Sequence, residues 1–171
     1  MHVAAKVMQT LVLVALPAMS QPGSLVVDKS CGDPMLESQL WEAVSGTFLS
    51  VAATGGIEVR LVGTGSKVTV HLAGIAPPKQ PDAKAAFEQF VRDKSGDKAL
   101  TVLMPSDWTF ASVKPKDVTA SIKLQDSSDL GLLVIENKLA RFREPPPYKM
   151  SRALACQYRR SDQAANTSTA R

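Results

Sequence analysis

Aromatic side chains make up 5% of the 171 residues, and histidine and cysteine occur twice each. So few aromatics argue against the stacking surface by which proteins grip single-stranded nucleic acid. Two cysteines exclude a cysteine-rich structural zinc site, and two histidines, one of them at position 2, add little to the donor set. Long apolar runs are missing as well; the longest falls short of the ~20 residues that a transmembrane helix needs. Nor is there a large charge excess. Twenty Lys and Arg against sixteen Asp and Glu give +4 at neutral pH, which suits an anionic partner without demonstrating one. What is present, 44% hydrophobic and 21% charged residues, is a globular composition with room for one domain plus a targeting segment.

Residues 1–20 have the layout of a cleavable signal peptide: Lys6 and no acid, an apolar core from Val7 to Ala15, then small residues at Ala18 and Ser20 ahead of Gln21. Cleavage near Ser20 and Gln21 implies a secreted, cell-envelope or periplasmic protein with no stable membrane span afterwards. An uncleaved tether or an organelle signal is the alternative. Losing Lys6 lowers the net charge from +4 to +3. In an oxidising compartment the expected use of Cys31 and Cys156 is one disulfide joining the N-terminal extension to the last helix. Two unrelated buried thiols are the alternative. A nucleophilic cysteine is disfavoured because no histidine lies near either in sequence.

Residues 32–44 place Met35, Leu36, Leu40, Trp41 and Val44 at helical intervals, predicting a short amphipathic helix. The period then shortens. Residues 47–52, 57–62 and 67–75 read as strands, punctuated by Thr54-Gly55-Gly56 and by Gly63-Thr64-Gly65-Ser66. Pro81 and Asp82 open a helix whose apolar face carries Ala85, Phe87, Phe90 and Val91, with Asp82 as its expected cap. Residues 99–104 and 118–124 are a fourth and a fifth strand, separated by a loop carrying Trp108 and Phe110. Residues 129–142 and 148–162 read as two further helices, and the tail, 163–171, as frayed. Asn166, Thr167 and Ser168 fit a glycosylation sequon.

The resulting class is α+β, mainly β: a five-stranded OB-type Greek-key barrel with one helix between strands 3 and 4 and two C-terminal helices. The implied layout is a signal peptide (1–20), an extension with a short helix (21–43), the barrel domain (44–162) and a flexible tail (163–171).

Within that order, His71-Leu72-Ala73-Gly74-Ile75-Ala76-Pro77-Pro78-Lys79 resembles the third-strand segment of staphylococcal-nuclease (thermonuclease) domains, usually R-L-x-G-I-D-A/T-P-E. The stretch 83–104 resembles that family's helix and fourth strand, 136–142 its helix ending in L-A-K/R-V, and 148–165 its terminal basic helix without the usual G-I/L-W. The resemblance implies a barrel that hydrolyses phosphodiesters with a hard divalent cation, a carboxylate base and two arginines. The residues depart from that chemistry. The Asp-Gly-Asp-Thr turn is Ala53-Thr54-Gly55-Gly56, so the metal positions hold Gly55 and Ala76. The catalytic positions hold His71, Lys79 and Val118 instead of arginine, base and arginine. The expectation is a degenerate, non-catalytic domain with no metal and no cofactor.

Three readings of function follow. In the first, an exported module binds a protein or polyanion, with nucleic acid a weak candidate, through the former cleft. A basic lip of Arg60, Lys67, Lys79, Lys84, Lys114 and Lys116, with His71, would then supply the charge. In the second, relocated acids (Glu58, Asp82, Asp126, Asp129) support a divergent nuclease. In the third, the protein is structural and the cysteine staple matters more than any cleft. For His71 a half-exposed position on the barrel face competes with a ligand role, and the basic side chains, including Lys149, Arg152, Arg159 and Arg160, equally suit an ordinary solvated surface.

Overall fold

The computed structural model describes residues 31–32, 41–96, 98–105, 116–145 and 150–167. Strands β1 (Trp41–Val51), β2 (Ile57–Leu61), β3 (Lys67–Leu72), β5 (Ala99–Pro105) and β6 (Asp117–Lys123) close into a barrel in the order β1-β2-β3-β6-β5. Two short strands, β4 (Ile75–Ala76) and β7 (Arg141–Phe142), form a separate antiparallel pair. Helix α1 (Pro81–Ser95) lies between β4 and β5 in the chain, and α2 (Leu130–Glu136) and α3 (Arg152–Thr167) follow β6. All barrel pairings are antiparallel except β3 with β6.

Period-two alternation sorts the strands into an inner and an outer face. Ile57, Val59 and Leu61 of β2, Val68, Val70 and Leu72 of β3, and Val118, Ala120 and Ile122 of β6 are buried. Between them Glu58, Arg60, Lys67, Thr69, His71 and Thr119 look outward or remain partly exposed. Phe87 and Val91 of α1, Leu130, Val134 and Ile135 of α2, and Leu154 and Tyr158 of α3 complete the core.

Five sequence expectations are corrected. The short helix expected over 32–44 gives way at its end to β1, because Trp41 to Val44 pair with Pro105 to Val102 of β5; residues 33–40 lie outside those described. The barrel therefore starts at Trp41 rather than at 44. The third strand stops at Leu72, and a turn through Ala73 and Gly74 separates it from β4. The helix expected over 129–142 stops at Glu136. Lys138 adopts a left-handed conformation, φ 58°, and Arg141 and Phe142 leave to pair with Ala76 and Ile75. The last helix begins at Arg152, where Ser151 Oγ accepts the Leu154 N–H at 3.1 Å, and it continues to Thr167 through part of the tail expected to fray. At α1 the cap residue is Gln80; Asp82 sits in the first turn instead, favourable to the helix dipole.

Besides ion pairs of Asp162 with Arg141 and of Arg159 with Glu144, two links hold α3 to the body. Cys31 and Cys156, 125 positions apart, form a disulfide with Cα atoms 5.5 Å apart. The other link is buried and polar. Asp129, the N-cap of α2, accepts the Leu132 N–H at 3.0 Å and the Tyr158 hydroxyl. Lys123 Nζ lies 3.3 Å from the other carboxylate oxygen, an ion-pair approach not aligned as a hydrogen bond. Asp129 thus caps one helix while anchoring another.

Reduction should lower the melting temperature of the oxidised protein. Closing a loop of 125 positions constrains the unfolded chain by at most about 5 kcal/mol, and an unchanged melting curve after complete reduction would contradict a structural role. Burial, reinforced by the Asp129 charge, holds the Tyr158 hydroxyl well above its ordinary pKa of 10.0. The folded state therefore favours the neutral phenol. That stabilisation is fully present below pH 10 and is lost as the pH rises above it. Tyr158→Phe should cost about 1–3 kcal/mol at neutral pH by removing a donor from a buried carboxylate, and it should flatten the alkaline decline. Urea unfolding of both proteins from pH 7 to 11 checks this.

Candidate functional site

A cavity of about 250 Å³ opens where the β1–β2 turn, β3, β6 and the segment after β7 converge. Its walls come from five places in the chain. The parallel register of β3 and β6 sets His71 beside Thr119, and both line it. Gly55 contributes from the β1–β2 turn, Gly74 and Ile75 from the turn into β4, and Phe87 from α1. Arg143 and Pro145 close the remaining side. The Arg143 position is fixed by its backbone, whose N–H donates to the Gly74 carbonyl at 3.0 Å and so extends the β4–β7 pairing by one residue.

Gly55 has φ 83°, and a Cβ placed there would lie 2.7 Å from Pro77 Cβ. Only a residue without a side chain lets this turn rest on Pro77 in that conformation. Pro77 also lines the cavity, so the contact joins two of its walls.

Among the described residues no acid lines the cavity. Asp117 stands near it: its carboxylate is 3.4 Å from His71 Nε2, with the two side chains 66% and 42% exposed, so the pairing is weak. Neighbouring arginines are engaged, Arg141 with Asp162 at 2.7 Å and Arg159 with Glu144 at 2.6 Å. Arg143 has no acid partner among the described residues.

Of the residues expected from sequence to form a site, His71 and Gly55 line the cavity. Arg60, Lys67, Lys79, Lys84 and Lys116 are all exposed, and none lines it. Lys67 is drawn away to Glu58, 2.8 Å from its carboxylate. Val118 is buried in the barrel, and its neighbour Thr119 faces the cavity instead. Lys114, Trp108, Phe110 and Lys149 lie outside the described residues. Sequence reasoning missed Arg143 and Thr119. The alternation of Arg141, Phe142 and Arg143 held the signal for the former, hidden while that stretch was read as helix.

Of the four acids named for a relocated metal site, Asp82 sits in the first turn of α1 and the other three are occupied separately. Glu58 bonds Lys67 and the Ser50 hydroxyl, which hold its carboxyl below the usual range. Asp126 is held low likewise by the hydroxyl and backbone N–H of Ser128. Asp129 serves Leu132 and Tyr158. Among the described residues no three acidic, histidine or cysteine side chains converge on a metal position. A hard divalent cation needs several oxygen ligands, and Gly55, Ala76 and Lys79 bring no carboxylate. Among the described residues the donor set at this cavity does not fit such an ion.

No protein-family model matches the chain, and comparison with curated proteins finds no significant match.

Gly55→Ala should cost about 1–3 kcal/mol through the left-handed backbone and the contact with Pro77. Urea midpoints of both proteins check it, and an unchanged midpoint would show that the turn does not need its glycine.

Proposed function

We propose that the protein is an exported, non-hydrolytic thermonuclease-like module that binds an anionic partner through the cleft where that family's chemistry would lie. The fold part of this reading is an OB-type Greek-key barrel. It is supported by the strand order β1-β2-β3-β6-β5, by the single parallel pairing of β3 with β6, and by the place of α1 between β4 and β5. Export is supported by the signal-like residues 1–20 and the Cys31–Cys156 disulfide. Among the described residues no helix is long and apolar enough to cross a membrane.

One observation carries the functional part. Among the described residues the cavity at the expected cleft is lined by His71 and Arg143 and by no acid, so it favours negative charge and brings no carboxylate to hold a hard cation or to act as base. Exposed Lys79 and Lys84 are near in sequence to the lining residues Pro77 and Phe87, in the loop before α1 and at the start of α1. Attraction through a few such charges is weak, independent of metal and steeply reduced by salt.

The test uses the full chain with a short single-stranded oligonucleotide or polyphosphate. The expected results are no hydrolysis with Ca²⁺, Mg²⁺ or Mn²⁺, and binding at low salt that EDTA leaves unchanged. Replacing Lys79 and Lys84 with Glu should weaken binding more than the same change at Arg152 and Arg160 on α3. Cleavage abolished by EDTA, in a preparation free of contaminating nuclease, would establish a divergent nuclease instead. No binding at low salt would end the polyanion reading.

A further inference from the structure

We propose that the cavity itself is a site for one small organic anion, a carboxylate on a short aliphatic body, with Arg143 as its anchoring charge. The inference rests on the preceding reading only in taking this cleft as the place of binding. It differs in the ligand: a monocarboxylate held inside the cavity rather than a polyanion lying across its exposed rim.

Size sets the first limit. About 250 Å³ is below the range of roughly 300–1,000 Å³ typical of pockets for drug-sized ligands. There is room for a body of a few heavy atoms and none for a polymer. The lining sets the second. Leu72, Ile75 and Phe87 are buried apolar side chains, and Pro77 and Pro145 add ring surface. Among the described residues, the lining residues with polar side chains are Arg143, His71 and Thr119. A ligand that fits both parts has an anionic head and an apolar tail; inorganic phosphate would leave the apolar wall without a partner.

Charge sets the third limit. Among the described residues Arg143 is the one arginine in the lining, and it has no acid partner there. Its planar fork matches a carboxylate with two parallel hydrogen bonds. Asp117 beside His71 keeps a negative charge at the margin, which opposes a second negative charge on the ligand. The balance suits a monoanion. The Thr119 hydroxyl and the His71 ring are the remaining polar groups for its head. The Arg143 backbone is pinned to Gly74, so the charge is held at this wall.

The experiment is an NMR titration of the isotope-labelled, oxidised full chain at constant ionic strength, with acetate, propionate, butyrate and inorganic phosphate as probes. Saturable shifts should centre on Arg143, Thr119 and His71. Affinity should rise about three- to fourfold for each added methylene, and phosphate should bind more weakly than butyrate. Arg143→Gln, at an exposed side chain whose loss leaves the melting curve unchanged, should weaken butyrate binding about tenfold or more. Lys79→Glu with Lys84→Glu should leave it within about twofold, since those charges lie outside the cavity and are screened. N-acetylvaline separates the two sources of such a group: its binding alongside butyrate assigns the end of a peptide chain, and its failure to bind assigns a free short-chain acid. Shifts that do not saturate, affinity independent of chain length, phosphate binding tighter than butyrate, or an Arg143→Gln protein that binds as before would each overturn the proposal. Butyrate binding without oligonucleotide binding leaves the cavity site and removes the polyanion reading; the reverse removes the cavity site alone.

Discussion

Gly46 and Thr47 of β1 each pair on two sides, Gly46 with Leu61 and Leu100, and Thr47 with Arg60 and Ala99. The first part of the strand belongs to the seam with β5 and the last part to the seam with β2, and these two residues are where the seams overlap. Closure depends on that changeover, because a barrel without it would leave β1 or β5 with an unpaired edge. The backbone must come close to β2 there. A Cβ at position 46 would lie 2.4 Å from Val59 Cγ1 and 3.1 Å from the Arg60 carbonyl oxygen, so the overlap is open only to glycine. An irregularity in the register between Phe48 and Ser50 follows directly, of the kind that bends a strand onward around a barrel.

The site inherits its geometry from this closure. The bent end of β1 delivers the turn carrying Gly55 to Pro77, and the parallel pairing across the far side of the barrel sets His71 beside Thr119. The small β4–β7 sheet then carries Arg143 to the same place from a point in the chain more than sixty residues beyond Pro77. None of these groups is near another in sequence except those of the segment from His71 to Pro77. The anchoring of α3 acts on the same region from behind, since Tyr158 and the disulfide hold the helix that follows Pro145.

A barrel of this design can position many chemistries, and the residues at its cleft decide which. Among the described residues the cleft has cationic and hydroxyl groups but no acidic side chain in its lining, while Asp126, Asp129 and Glu58 stabilise a turn, a helix end and a strand pair. A carboxylate committed to capping a helix and receiving a buried phenol, as Asp129 is, cannot also be spared for a metal.

Local pattern made much of the frame legible. Strict alternation in β2, β3 and β6 marked their inner faces, and Pro81 with the spacing of Phe87 and Val91 marked α1, because each signal depends on a residue's own neighbours. The pairing of Cys31 with Cys156 could be anticipated because the chain has no other cysteines. The alternation around His71 also marked it as a half-exposed residue of the barrel face, which is where it lies. What lay beyond the sequence was every feature decided by a distant partner. Trp41 to Val44 satisfy a helical spacing and a strand equally, and β5 chooses the strand by supplying hydrogen bonds. Arg141 and Phe142 would continue a helix but find open backbone at Ile75 and Ala76. Arg143 reaches the cavity wall only as a consequence of that pairing, and Lys67, expected at the lip, is held by Glu58 on the neighbouring strand. Periodicity reports which face of an element is apolar; which elements meet is settled by backbone pairing and side-chain fit between segments far apart in the chain, and that is where this protein's site is made.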